Sequence, residues 1–268
     1  MHYEFHALSD TGRVRENNED TVVHDAALGL ALLADGMGGY NAGEVASGIA
    51  TDFVQRAFGA WLRSHGEGRS ATPRELRRAM EHCAEDANRA ILDAARAQPA
   101  CRGMGTTLVF CVFLPERIMV GHIGDSRCYR FRAGRLQRLT RDHSVLQEHI
   151  DAGLVTAAQA GSVPYRNLVT RALGVETGSQ LEVSEHTPQR RDRYLICSDG
   201  LTDMLGDAQI GAILGAGTAM ASTAAALVDA ANAAGGRDNV SVLLAQAEGA
   251  SPTRGRWARL LGLSQRGS

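Results

Sequence analysis

The sequence predicts an α+β fold in which antiparallel sheets are covered by helices. Three observations carry this. Apolar runs of strand length follow one another closely between residues 106 and 140, separated by glycine turns, as antiparallel neighbours require. Helical periodicity is gathered into blocks, one near 43–97 and one near 203–234, and does not alternate with strands. Helices in blocks cover sheets from outside, whereas strict alternation would give a parallel sheet. The chain has 268 residues, enough for one large domain or two small ones.

Taken in order, HYEFHALSD alternates and reads as a strand. LGLALLAD, ending at Asp35, is a short glycine-bounded apolar run that reads as a buried strand. A long helix is expected from about Gly43 to Arg63, with Val45, Ile49, Phe53, Ala57 and Trp61 on one face at i+4 spacing. Thr72-Pro73 supplies an N-cap and a first-turn proline for a second helix to about Ala97. TTLVFCVFL, RIMVGHIGD and RCYRFRAGRLQRLT read as a meander of three strands. Residues 144–175 are helical and loop-like, LEVSEHT and RYLICSD return to strand, helices follow at about 203–214 and 218–234, and NVSVLLAQA is the last strand.

Composition excludes several chemistries. All 28 basic residues are arginine, so no P-loop, kinase strand lysine or Schiff-base lysine exists. The absence fits a coding bias, but it also means that any phosphate is gripped by arginine or metal. A net charge of −2 gives no footprint for nucleic acid. No apolar run approaches the ~20 residues of a membrane span, and the N-terminus lacks a signal-peptide layout. Five cysteines without C-x-x-C spacing suggest neither disulfides nor a zinc site, and point to a reducing cytoplasm.

The aspartates carry the functional signal. Asp35, Asp125 and Asp199 each stand where an apolar strand meets a glycine-containing turn, and Asp238 stands at the start of the last strand. RENNED adds Glu19 and Asp20. Any one Asp-Gly is an ordinary turn. Several at strand tips form a rigidly based set of oxygen ligands, the donor type that Mg²⁺ or Mn²⁺ prefers. No cluster of His or Cys is visible in the sequence to favour a softer metal. Such a site beside an arginine suits a phosphate substrate.

GRVRENNED, ADGMGG, GMGTTL, GDSRCYR, LTRDHS, NLVTRALG, CSDGLTD and GRDNVSV occur in that order, and the chain from about 3 to 247 resembles the protein phosphatase 2C family in its bacterial form. The resemblance implies a four-layer α-β-β-α sandwich with a metal centre at one end. It implies that Asp35 bridges two metals, that the Gly36 carbonyl binds one of them, and that Asp199 and Asp238 bind the other. Asp125, with Asp199, would hold a third ion, Glu19 and Asp20 would hold metal-bound waters, and Arg15 would bind the substrate phosphate. The implied reaction is in-line attack of a metal-bridging water on phosphoserine or phosphothreonine, without a phosphoenzyme. Many eukaryotic relatives carry His at the position of Met37, as a proposed general acid, and Met cannot carry a proton. Thr106 and Asn239 are expected to hold the site's backbone, His143 to anchor the flap, and His122 to be a satisfied core histidine.

The resemblance places a variable flap at about 145–170, where Gly153 and Gly161 make motion plausible, and a phosphatase domain over 1–248. Residues 249–268 form a basic tail whose RWARLLGL could make a short amphipathic helix. The implied partners are phosphorylated proteins, with a cognate bacterial Ser/Thr kinase and its targets, and the chain is expected to be a cytoplasmic monomer. A catalytically silent, phosphatase-like binding module is the alternative, but such relatives lose bridging or terminal aspartates and this chain keeps them all.

Overall fold

The computed structural model describes residues 1–39, 42–68, 70–156, 159, 163, 168–178 and 180–249. Two antiparallel sheets form its centre. The first runs in the order β1 (His2–Asp10), β11 (Val240–Glu248), β10 (Arg193–Cys197), β7 (Arg127–Arg132), β8 (Arg135–Arg138). The second runs β2 (Asp20–Asp25), β3 (Leu30–Met37), β5 (Leu108–Phe113), β6 (Ile118–Ile123), β9 (Glu182–His186), with β4 (Gly105–Thr106) paired to the end of β3. The helices are α1 (Ala42–Ser64), α2 (Pro73–Ala97), α3 (Val145–Asp151), the single turn α4 (Asp199–Thr202), α5 (Asp207–Gly215) and α6 (Met220–Ala233).

Side-chain alternation builds the four layers. Along β3, Leu30, Leu32 and Ala34 pack with α1 and α2, while Ala31 and Leu33 face the other sheet. Along β11, Val240, Val242 and Leu244 pack with residues of α5 and α6, while Leu243 and Ala245 face inward. Both faces are covered, so these strands read as continuous apolar runs. Each fully buried Leu or Val contributes roughly 1.5–3 kcal/mol. The expected α-β-β-α sandwich is therefore the observed one.

Local signals set the element ends. The Thr72 hydroxyl accepts from Glu75 N at 3.3 Å and the Glu75 carboxylate accepts from Thr72 N at 2.8 Å, a reciprocal cap on α2 worth about 1 kcal/mol. All five cysteines are free and buried.

The structure departs from expectation in four places. The meander is broken: β5 and β6 pair in one sheet, while β7 and β8 pair in the other, so the chain crosses the sandwich at Gly124–Ser126. The buried face of α1 is the adjacent row, Ala46, Ala50, Val54 and Phe58, and Val45 and Ala57 are exposed. Small side chains win there because α1 lies close to β3: a Cβ on Gly36 would stand 2.1 Å from the Gly43 carbonyl oxygen. Strand β2 is an extra element, short and with aspartate at both ends. The helix expected at about 203–214 begins only at Asp207, as α5, and the single turn α4 precedes it as an extra element. The tail beyond 249 and much of the flap, including Gly161, lie outside the described residues.

Candidate active site and metal centre

Both sheets deliver carboxylates to one end of the sandwich. Asp20 opens β2 and stands directly opposite Asp35 in the β2–β3 register. Asp125 sits in the crossing between the sheets, Asp199 follows β10 as the first residue of α4, and Asp238 lies two residues before β11. Arg15, Glu19, Asp35, Gly36, Met37, Asp125, Asp199 and Asp238 line one cleft of about 430 Å³. Asp20 stands behind it, accepting from the Ser198 hydroxyl at 2.8 Å.

The backbone of this ring is pinned. Asp35 N donates to Thr107 Oγ1 at 3.0 Å, and its carbonyl accepts from Thr106 Oγ1 and Thr107 N, both at 2.9 Å. Thr107 Oγ1 in turn lies 2.8 Å from Ser126 Oγ, beside Asp125. Asn239 ties three segments together: its Oδ1 accepts from Glu19 N at 2.8 Å, and its Nδ2 donates to the Thr11 and Asn17 carbonyls. Such bonds fix carboxylates at strand tips in position.

The charges are strained by their company. Burial first, then the neighbouring Asp20, Asp199, Asp125 and Asp238, push the Asp35 carboxyl well above the carboxylate range. Asp199 is raised in the same way, by burial and then by Asp125, Asp203 and Asp238. Burial lifts Asp20 to about 6 and Asp125 to about 7. Among the described residues, Arg15 is the cation in direct contact with the ring, donating to Asp238 Oδ2 at 2.8 Å. Glu19 Oε1 and Asp20 Oδ1 are buried without a hydrogen-bond partner. Clustered hard oxygens with orphaned lone pairs fit divalent cations, which would supply the missing positive charge.

A sequence model of protein phosphatase 2C matches residues 10–245. The chain belongs to the protein phosphatase 2C family. It is 33% identical to the serine/threonine phosphatase stp of Listeria innocua over 92% of this chain and 96% of that one. It is 39% identical to the serine/threonine protein phosphatase PstP of Mycobacterium tuberculosis over 89% of this chain and 44% of that one. The crystal structure of that PstP superposes with a TM-score of 0.83 at 36% identity, covering 93% of this chain and all of that one. The PstP catalytic domain in complex with two manganese ions superposes with a TM-score of 0.80 at 34% identity, covering 92% and 99%.

Within this protein phosphatase 2C fold, several supporting residues went unread in the sequence. Arg127 of GDSR makes a two-pronged pair with buried Asp142, at 2.6 to 3.1 Å, and Arg138 reaches the same carboxylate. This locks the Asp125 turn to the start of the flap. Thr107, Ser126 and Ser198 also escaped, since lone hydroxyl residues carry no spacing signal.

The fold also assembles a histidine cluster where none was visible. His122 and His143 stack at 4.8 Å with rings 13° apart, and Glu182 stands beside them. Ring lone pairs lie in the ring plane, so near-parallel stacked rings do not converge well on one ion. His122 Nε2 is instead 2.8 Å from the Arg141 carbonyl, and His143 Nδ1 accepts from Gly124 N at 3.2 Å. His143 also holds the flap root, its carbonyl accepting from Thr170 N at 2.8 Å.

Proposed function

We propose that this chain is a metal-dependent protein phosphatase that hydrolyses phosphoserine and phosphothreonine, and that it opposes a bacterial Ser/Thr kinase by acting on that kinase and its targets. The carrying observation is the ring of buried carboxylates, drawn from both sheets and raised by burial and then by mutual repulsion, in a cleft that also holds Arg15. Asp35, Asp199, Asp238 and the Gly36 carbonyl would hold two Mn²⁺ or Mg²⁺ ions. Asp125 with Asp199 would hold a third, and Glu19 and Asp20 would order water around them. When bound, such ions lower the pKa of coordinated water and neutralise charge on the phosphoryl group.

The chain's own residues do the rest. Arg15, half exposed at the cleft, offers its guanidinium to the substrate phosphate as a bidentate donor. Thr106, Thr107 and Asn239 keep the carboxylates aimed. Met37 lines the cleft and carries no proton, so a group other than residue 37 protonates the leaving oxygen. The complete set of aspartates speaks against the silent-module alternative. The reading includes one phosphatase domain over 1–248 with a flap at about 145–170 and a separate basic tail, acting as a cytoplasmic monomer. Among the described residues no helix is long and apolar enough to cross a membrane.

Hydrolysis of an aryl phosphate with and without Mn²⁺, repeated with Asp238→Ala, tests this. Mn²⁺-dependent turnover that the substitution removes is expected. A wild-type protein inert with Mn²⁺ and Mg²⁺ would overturn the enzyme reading, and full activity in the variant would overturn the ligand assignment.

A further inference from the structure

Large apolar side chains are exposed at few places among the described residues: Val14 at 66%, Val45 at 37%, Leu154 at 71%, Leu168 at 55% and Val175 at 62%. Singly, such residues mean little. Here most of them gather at one mouth. Val14 directly precedes Arg15. Leu168 lines the cleft together with the carboxylates. Val175 and Met37 flank Gly105: a Cβ there would lie 3.0 Å from Val175 Cγ2 and 3.6 Å from Met37 Cγ. Val45, on the outer face of α1, and Leu154 are not part of this group. Apolar residues collected around a functional cleft mark a contact site.

The exposure of Leu168 is built in. Its carbonyl accepts from Val145 N at 2.9 Å, the next residue bridges to Ser144, and Thr170 N donates to the His143 carbonyl. Leu173 exchanges two backbone bonds with Thr106, both at 2.9 Å. The segment is therefore fastened at both ends while its leucine faces solvent, a cost in exposed apolar area that a partner side chain would offset.

We propose that this aliphatic rim docks the substrate polypeptide, so that the phosphatase selects phosphorylated residues with a large aliphatic neighbour. The inference rests on the phosphatase reading and deepens it. The occupant is a phosphopeptide because the rim is continuous with the cleft: Arg15 takes the phosphate while Val14, Leu168 and Val175 take flanking side chains. In an extended peptide, side chains two residues apart share one face at a spacing of about 7 Å, so a phosphothreonine in the cleft turns its second neighbours toward the same side.

The test compares kcat/KM for two phosphothreonine peptides, identical except for Leu or Ser at the positions two residues before and two residues after the phosphothreonine, with aryl phosphate as a third substrate. Wild type is expected to prefer the Leu peptide about tenfold. In Leu168→Ser and Val175→Ser the ratio of the two peptides should fall toward one. Because the readout is a ratio within each variant, partial loss of folded protein does not mimic it. Equal rates on both peptides, or a ratio that the substitutions leave unchanged, overturn the docking surface alone. No turnover of aryl phosphate by wild type with Mn²⁺ overturns the phosphatase reading beneath it. Light scattering that shows a dimer dissociated by Leu168→Ser would assign the rim to a second copy and overturn the proposal.

Discussion

Two sets of aspartates lie within this molecule, and they are treated in opposite ways. Asp142 and Asp192 are nearly inaccessible, and each is gripped by a guanidinium, Arg127 at 2.6 Å and Arg132 at 2.6 Å. Burial alone would raise Asp192, but the bonds from Arg132, Gln189 N and Tyr194 outweigh it and hold the carboxyl below its ordinary value. Asp35, Asp125 and Asp199 have no ion-pair partner among the described residues, and all are raised. The first set is satisfied by the fold and serves it. The second is left wanting by the fold and, on the proposed reading, serves a ligand.

Substitutions should separate the two sets, the largest effect first. Asp35→Asn is expected to lower Mn²⁺-dependent turnover of an aryl phosphate by on the order of 10³, the scale of losing a preorganised electrostatic contributor. Its metal-free melting temperature should hold or rise, because a repelled charge is gone. Asp192→Ala should do the reverse, costing about 1–3 kcal/mol by leaving the Gln189 amide and the Tyr194 hydroxyl without their acceptor, with kcat of the remaining folded enzyme near wild type. Denaturant unfolding read beside kcat checks both. A melting temperature for Asp35→Asn well below wild type would break the comparison.

The pH response gives a second separation. The ring carboxyls have folded pKa values above their unfolded ones, so metal-free protein should lose stability as pH rises from about 4 through the values near 6 and 7 of Asp20 and Asp125. Asp192 is depressed, so its contribution is present above about 4 and is lost as pH falls through its folded value. Burial lowers His122, His143 and His186, which add stability as pH rises to about 6.5, so metal-free melting should slope downward from about pH 6.5 to 8, and saturating Mg²⁺ should flatten it. An upward slope there without metal would contradict the repulsion.

Smaller effects refine the ring itself. Arg15→Lys replaces a fork by a point charge, and KM is expected to rise about tenfold with little change in the Mn²⁺ requirement. Thr107→Val strands the Asp35 amide and should weaken Mn²⁺ affinity 10- to 100-fold, read by titrating activity against metal. An unchanged Mn²⁺ midpoint would show that Thr107 does not aim Asp35.

Much of this was legible in one dimension. Asp-Gly at two strand tips placed Asp35 and Asp199, and an aspartate close to a glycine turn placed Asp125 and Asp238, because a short apolar run and its turn lie together in sequence. Thr106 and Asn239 were readable through the same words. What escaped depends on distant partners. Arg127 and Asp142 are 15 residues apart, and the β7–β8 hairpin that follows the crossing between sheets brings them together. His122 meets His143 through the same crossing. Strand β2 was missed because its aspartates look like loop, although Asp20 faces Asp35 across the ladder. On α1 the bulkier row drew the eye, while close approach to β3 selected the alanines.

The ring draws Asp20 and Asp35 from one sheet and Asp199 and Asp238 from the flank of the other. Whatever neutralises it is therefore also a clasp across the seam of the sandwich. A cation at 100 times its dissociation constant would add about 2.7 kcal/mol to folding. In a protein of this size that is a rise of several degrees in melting temperature, at about 2–4 °C per kcal/mol. Heat alone, with no substrate present, can thus weigh Mn²⁺ against Mg²⁺, and a site that binds them would act as a fastener before it acts as a catalyst.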